Sequence, residues 1–261
     1  MHNRILDELR ETKIFDEPLR VELIPGGAVN LSYHLKSGSS HYFLKTFEQN
    51  HFAPSDREAL YIMQTQLSKH DIAPIPRYFS RNHDFQVEDW IEGSALDKSD
   101  IPQKQKVELL AHTLDRIHKL PIYALSINFP QDWQSYIEMS GIKVSEELLQ
   151  RLEDNTKCWL DTHQHDQVLC HNDLAMEHVF NGKQLVVFDW EYAACGNRYY
   201  DLASCVTINN LNEQETEMLQ QTYSFFSNIP FTEIVEQMEE QVPLVNLTND
   251  LWYLASRVKA P

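Results

Sequence analysis

The sequence predicts an α+β protein in two parts: a strand-rich first third, and a helix-rich remainder with one small hairpin inside it. Three observations predict this. Residues 21–47, VELIPGGAVNLSYHLKSGSSHYFLKTF, alternate apolar and polar positions between glycine-bearing turns. From Gln103 onward the apolar residues return with helical spacing. Between those helices, QVLCHNDL and KQLVVFDWEY read as short apolar strands, each running into acidic residues, with Asn181-Gly182 as a hairpin-type turn between them. A chain of 261 residues can form two bodies, and the boundary is expected after residue 92, giving parts 1–92 and 93–261.

Element by element, Ile5, Leu6 and Leu9 mark a short first helix. Val21 and Leu23 open a first strand, Leu31, Tyr33 and Leu35 alternate in a second, and Tyr42, Leu44 and Phe47 mark a third. Gly26-Gly27 and Gly38 supply the turns. SDREALYIMQTQLSKHDI is a helix capped by Ser55 or Asp56, with Glu58 in its first turns. The prolines of APIPRYF exclude a helix, so two short strands with a turn at Asn82–Asp84 follow, and Gly93 is the exit from the first part. Val107, Leu110, Ala111, Leu114 and Ile117 give one broad face to a helix over 103–120. A further helix is expected over 145–163. After Asp201 the chain reads as helical to the end, broken at Pro230 and Pro243, with Asp201 as an N-cap.

Composition narrows the function. No run of 18 apolar residues exists to span a membrane, and MHNRILDELRE has no apolar signal core. Four cysteines without a C-x-x-C pair suit reduced thiols and a cytoplasmic location. The net charge of −17 repels nucleic acid on average, unless a local basic patch opposes it, and is compatible with a cationic small molecule as partner, although an acidic surface also serves solubility alone.

Phosphate transfer from a nucleotide needs amides and a lysine on the phosphates, a carboxylate for the metal and another for the acceptor hydroxyl. PGGAVNLSY is a glycine-bearing turn whose backbone amides can face phosphate, and it lacks the G-K-[ST] of a P-loop. Lys45 lies on a strand, and Glu58 starts the next helix as its prospective ion-pair partner. Asp173 sits at a strand end and suits a base. Asp189, after LVVF, suits a metal ligand with Glu191 near it. The same set (His171, Asp173, His178, Asp189 and Glu191) also suits a metal hydrolase, although no H-E-x-x-H is present. A binding domain without catalysis is the third reading.

HNDL at 171–174, FDWEYA at 188–193 and YYDLAS at 199–204 resemble the aminoglycoside phosphotransferase and choline kinase superfamily. GGAVNLSYHL at 26–35 is similar to that family's glycine-rich loop, YFLKTF to its lysine strand, DREALYI to its glutamate helix, and WIEG at 90–93 to the segment joining its lobes. The resemblance implies a protein-kinase-like two-lobed fold, with a small antiparallel-sheet N-lobe and a mostly helical C-lobe, using ATP and Mg2+, or Mn2+. It implies catalysis by Asp173, with His171 supporting its loop, and metal binding by Asp189. It implies nucleotide contacts from Gly26, Gly27, Asn30 and Lys45 backed by Glu58, and an adenine wall from Glu88, Asp89, Trp90 and Ile91. Asp201 would support the catalytic loop. One position departs from the pattern: the family has asparagine as its second metal ligand where this chain has His178, which either binds the metal through nitrogen, reaches it through a bridging water, or leaves the site to Asp189 and Glu191 with activity weakened or shifted toward Mn2+.

The DWEYA segment resembles the choline, ethanolamine and thiamine kinase branch, and NDLWYLASRV resembles the aromatic helix of choline kinases. Trp252, Tyr253, Tyr192, Trp133 and Glu191 are therefore the expected lining for a small cationic alcohol, choline slightly ahead of thiamine, with an aminoglycoside or aminosugar third and a nucleotide-binding pseudoenzyme as the competing class.

Overall fold

The computed structural model describes residues 2–25, 31–47, 56–162 and 166–257. The chain divides into two compact units. One holds residues 1–93 together with 182–186; the other holds 94–181 and 187–261.

In the first unit, α1 (His2–Thr12) is followed by β1 (Leu19–Ile24), β2 (Leu31–Ser37), β3 (Ser40–Thr46), α2 (Arg57–Ser68), β4 (Pro76–Phe79) and β5 (Phe85–Asp89). The strands form one antiparallel sheet in the order β1-β2-β3-β5-β4. Alternation decides its faces. Tyr33, Leu35, Leu44, Phe85 and Val87 point to one side and bury with Ile5, Leu9, Phe15 and Leu19. Lys45 lies between core residues on β3 and pairs in register with Gln86, so it projects from the opposite face. α2 is capped by Asp56, whose side chain accepts from the amide of Ala59 at 2.9 Å.

The second unit carries β6 (Gly93–Ala95) from its second residue on, then α3 (Gln103–His118), α4 (Phe129–Ser140) and α5 (Glu146–Thr162). The chain continues through β7 (Gln167–Cys170), β8 (Val179–Gly182), β9 (Leu185–Val187), β10 (Ala194–Asn197), α6 (Arg198–Ile208), α7 (Glu213–Ser227) and α8 (Phe231–Ser256). Val107, Leu110, Ala111, Leu114 and Ile117 of α3 are fully buried, and this helix packs on α7. α8 packs on α4, α5 and α6. Unit for unit, this is an antiparallel sheet followed by a mostly helical body.

Four local expectations change. QVLC does not form a hairpin with the strand before Asp189. β7 pairs antiparallel with β10, and the hairpin is β8 with β9, so the turn follows Gly182. Asp201 does not cap α6, because Asn197 does, accepting from Tyr199 N at 2.8 Å. Pro243 does not end a helix; α8 runs through it, since tertiary packing offsets one lost backbone bond. α4 was not expected, yet its signals are local: Asn128 caps it, Pro130 follows, and Gly141 closes it with φ 64°.

Candidate active site

The loop after β7 carries His171, Asn172 and Asp173, and it is held by one carboxylate. Asp201, wholly buried in α6, accepts from His171 N at 2.8 Å, from Asn172 N at 2.7 Å and from His118 Nε2 at 3.0 Å. Asn172 has φ 63°, a left-handed turn that asparagine tolerates. Its side chain donates to the Tyr192 carbonyl at 2.9 Å, and its own carbonyl accepts from Ser204 Oγ at 3.0 Å. The His171 and Asn172 amides and the Asn172 side chain and carbonyl are therefore all paired. His118, Cys170 and Asp201 bring ligand atoms within 4.8 Å of one another. His118 nevertheless uses both ring nitrogens, on Asp201 and on the Tyr223 hydroxyl at 2.7 Å, and burial pushes the Cys170 thiol well up. Both imidazole nitrogens are thus committed to a structural hydrogen-bond network.

Two histidines flank Asp173 with different duties. His171 is fully buried. Its Nε2 donates to the Phe188 carbonyl at 2.9 Å and its Nδ1 faces the Asp173 amide at 3.3 Å, so the ring is neutral. Burial lowers its pKa to about 4. Its two ring nitrogens tie the Phe188 carbonyl to the Asp173 amide. His178, in a short 3-10 turn at Met176–His178, directs Nδ1 at the Asp173 carbonyl oxygen, 2.8 Å away. A carbonyl only accepts, so Nδ1 carries a proton and Nε2 is the ring nitrogen left to other partners. That nitrogen lies 3.5 Å from Asp189 Oδ2 and 3.9 Å from Glu177 Oε1. Asp189 has φ 57° and begins the 3-10 turn Trp190–Tyr192, which turns its carboxylate out of the hairpin. A divalent cation fits this donor set: one partly exposed carboxylate and one imidazole nitrogen facing each other. The Asp173 carboxyl is raised to about 6, first by burial, with Asp189, Glu191 and Glu177 adding and His178 opposing.

Beside Asp173 stands an aromatic and acidic wall. Trp252 Nε1 donates to the Tyr192 hydroxyl at 2.9 Å. The Tyr192 phenol is pushed up by burial and then by the fields of Glu191, Tyr136 and Asp173. Tyr136 is raised by burial and by Asp132 one turn before it on α4, and Asp132 is itself lifted to about 6 by burial. Asp132 and Tyr136 were missed with the helix that bears them; their i, i+4 spacing was the available signal. Trp133 is a core residue, fully buried and donating to Thr248 Oγ1 at 2.8 Å. Its packing rather than a ligand explains its size. Tyr253 is 59% exposed and points away from the packed face.

In the first unit, Lys45 is half-buried on the sheet face opposite the core. Glu58 is exposed in the first turn of α2. Glu88 is buried, its carboxylate accepting from Gln64 and Gln86 side chains. Asp89 makes a two-bond pair with Arg77, and Trp90 lies against His34 with ring centroids 4.3 Å apart. Ile91 is half-buried. Gly26, Gly27 and Asn30 lie outside the described residues.

Comparison with known proteins follows the same lines. The sequence profile of the phosphotransferase enzyme family matches residues 20–232. A LicA homolog of Mycoplasma capricolum subsp. capricolum is 23% identical over 160 residues, a match covering 59% of this chain and 63% of that protein. Among solved structures, the choline kinase LicA of Streptococcus pneumoniae superposes with a TM-score of 0.77 at 20% identity, over 98% of this chain and 91% of its own. An ethanolamine kinase of Plasmodium vivax superposes with a TM-score of 0.73 at 16% identity, over 92% and 77%.

Proposed function

The chain belongs to the phosphotransferase enzyme family, and on that premise we propose that it moves the γ-phosphate of ATP to the hydroxyl of a small cationic alcohol, choline ahead of thiamine and ethanolamine. The observation that carries the reading is the setting of Asp173. Its carboxyl stands on a loop clamped by the buried Asp201, near the aromatic and acidic wall of Tyr192, Trp252 and Glu191.

Asp173 accepts the proton of the substrate hydroxyl as the oxygen attacks phosphorus. A carboxyl lifted to about 6 is a stronger base than an ordinary one and still ionises near neutral pH. The clamp fixes its position, so little reorganisation accompanies the transfer. Tyr192 and Trp252 offer ring faces to the cationic head, each held by the bond between them. Glu191, Asp132 and Tyr136 add negative field there. Asp189 and His178 would hold a divalent cation, which when bound neutralises charge on the phosphate oxygens. Lys45 would contact the phosphates, and residues 88–91 would line the base.

The test measures ATP consumption and product mass with choline, ethanolamine, thiamine, an aminosugar and an aminoglycoside. One phosphorylated product, abolished in Asp173→Asn, is expected. Full turnover in Asp173→Asn refutes the assignment of the base, and phosphorylation of only an uncharged or glycosidic acceptor refutes the cationic wall.

A further inference from the structure

We propose a metal site on the first unit: His34 Nε2 and His41 Nδ1 form a two-histidine clip across β2 and β3 that takes one tetragonal, imidazole-preferring dication, Cu2+ or Ni2+, with water in its remaining positions. The pair shares no residue with Asp189 and His178, and its binding does not depend on the phosphotransferase reading above.

Alternation places the two rings. Tyr33 and Leu35 turn into the core, so Ser32, His34 and Lys36 project from the other face of β2. His34 stands opposite Phe43 of β3, and His41 is two residues before Phe43 on the same face, diagonal to His34. The two facing nitrogens are 2.8 Å apart. The ring centroids are 4.9 Å apart and the ring planes lie 17° from parallel. That separation is close to the nitrogen contact plus one ring radius from each side, so the rings meet edge to edge rather than face to face. An imidazole nitrogen offers its lone pair in the ring plane, so both edges address the same small space. At roughly 2.0–2.1 Å from one ion, nitrogens at this separation subtend about 85–90°. That is the cis angle of a square or tetragonal ion, and it is narrower than the tetrahedral angle of Zn2+.

The surroundings suit a dication. His41 is exposed and can turn its ring onto the ion, while His34 is half-buried and lies against Trp90 with centroids 4.3 Å apart. Glu22, opposite His34 on β1, holds the Lys36 ammonium at 3.0 Å and so counters that charge beside the pair. Burial first, then His41 and Lys36, lower the His34 pKa, with Glu22 opposing, so this ring is neutral at pH 7. Without metal, one proton lies between the nitrogens. On binding it leaves to water and the other nitrogen of the same ring takes one up, so both imidazoles stay neutral. Among the described residues, no third imidazole, thiol or carboxylate joins both nitrogens within 4.8 Å, which leaves the other positions to water.

The experiment is pulsed EPR on the whole chain with one equivalent of Cu2+, together with calorimetric titration of Ni2+. It compares wild type, His34→Gln, His41→Gln and the double variant. Wild type should show two imidazoles coupled to one ion, and each single variant at most one. Ni2+ affinity should fall about tenfold or more in either single variant, and the double variant should lose little beyond that, because the clip needs both rings. His41 is exposed, so His41→Gln carries the test if His34→Gln does not fold. A single coupled imidazole in wild type, a two-imidazole signal that survives in His41→Gln, or an unchanged Ni2+ affinity in that variant overturns the proposal.

Discussion

Replacing Asp201 by asparagine should cost the second unit about 3 kcal/mol and loosen the catalytic loop with it. The carboxylate accepts three hydrogen bonds in full burial, from His171 N, Asn172 N and His118 Nε2. Asparagine keeps one oxygen. In its better orientation that oxygen serves His171 and His118, and the amide NH2 is turned against the Asn172 N–H. One bond to a charged acceptor is then lost, at roughly 1.5–3 kcal/mol, and two are downgraded to neutral bonds of about half the strength. Relief of the buried charge offsets part of this, which leaves the figure near 3 kcal/mol. In a chain of this size that lowers the melting temperature by roughly 6–12 °C. Thermal and urea unfolding of wild type and Asp201→Asn measure it. The variant should also lose more in kcat than in nucleotide affinity, since Asp173 is the group released. A melting temperature within 2 °C of wild type (about 0.5–1 kcal/mol) would refute the clamp.

Other perturbations test other parts. Asp173→Asn should remove turnover yet stabilise the metal-free protein at pH 8. The folded carboxyl is raised to about 6, so its protonated form is favoured by folding, and that contribution is fully present below about pH 4 and lost as pH rises through 6. The variant escapes the loss, by about 1–2 kcal/mol after solvent screening, and urea midpoints should differ at pH 8 and converge at pH 4. The same ionisation gives kcat/KM of the wild type an acid limb near pH 6. Gly182→Ala should destabilise by about 1–3 kcal/mol, because a Cβ there would meet the Glu92 carbonyl oxygen at 2.3 Å; an unchanged unfolding midpoint would exclude that contact. Trp252→Phe keeps an aromatic face but loses the bond to Tyr192, so KM for the cationic alcohol should rise about fivefold with kcat nearly kept, a loss of roughly 1 kcal/mol.

The linear order already carried much of this protein. Period-two alternation placed β1, β2 and β3, and the helical stripe of Val107 to Ile117 placed α3, because both signals are local and repeat within a few residues. HNDL and FDWEYA marked Asp173 and Asp189 for the same reason: each sits at the end of an apolar strand a few residues long. Tertiary structure decided what depends on partners distant in the chain. β7 chose β10 over the nearer strand, a register no local pattern encodes. Asp201 became a clamp rather than a cap because His171, Asn172 and His118 converge on it from elsewhere in the sequence. Trp133 went to the core, where Thr248 waited for its N–H, while half-buried Asp132 and Tyr136 on the same helix came to lie near Tyr192. His178 looked like a misplaced metal ligand in sequence. Only the carbonyl folded against its Nδ1 decides which ring nitrogen is left to face Asp189.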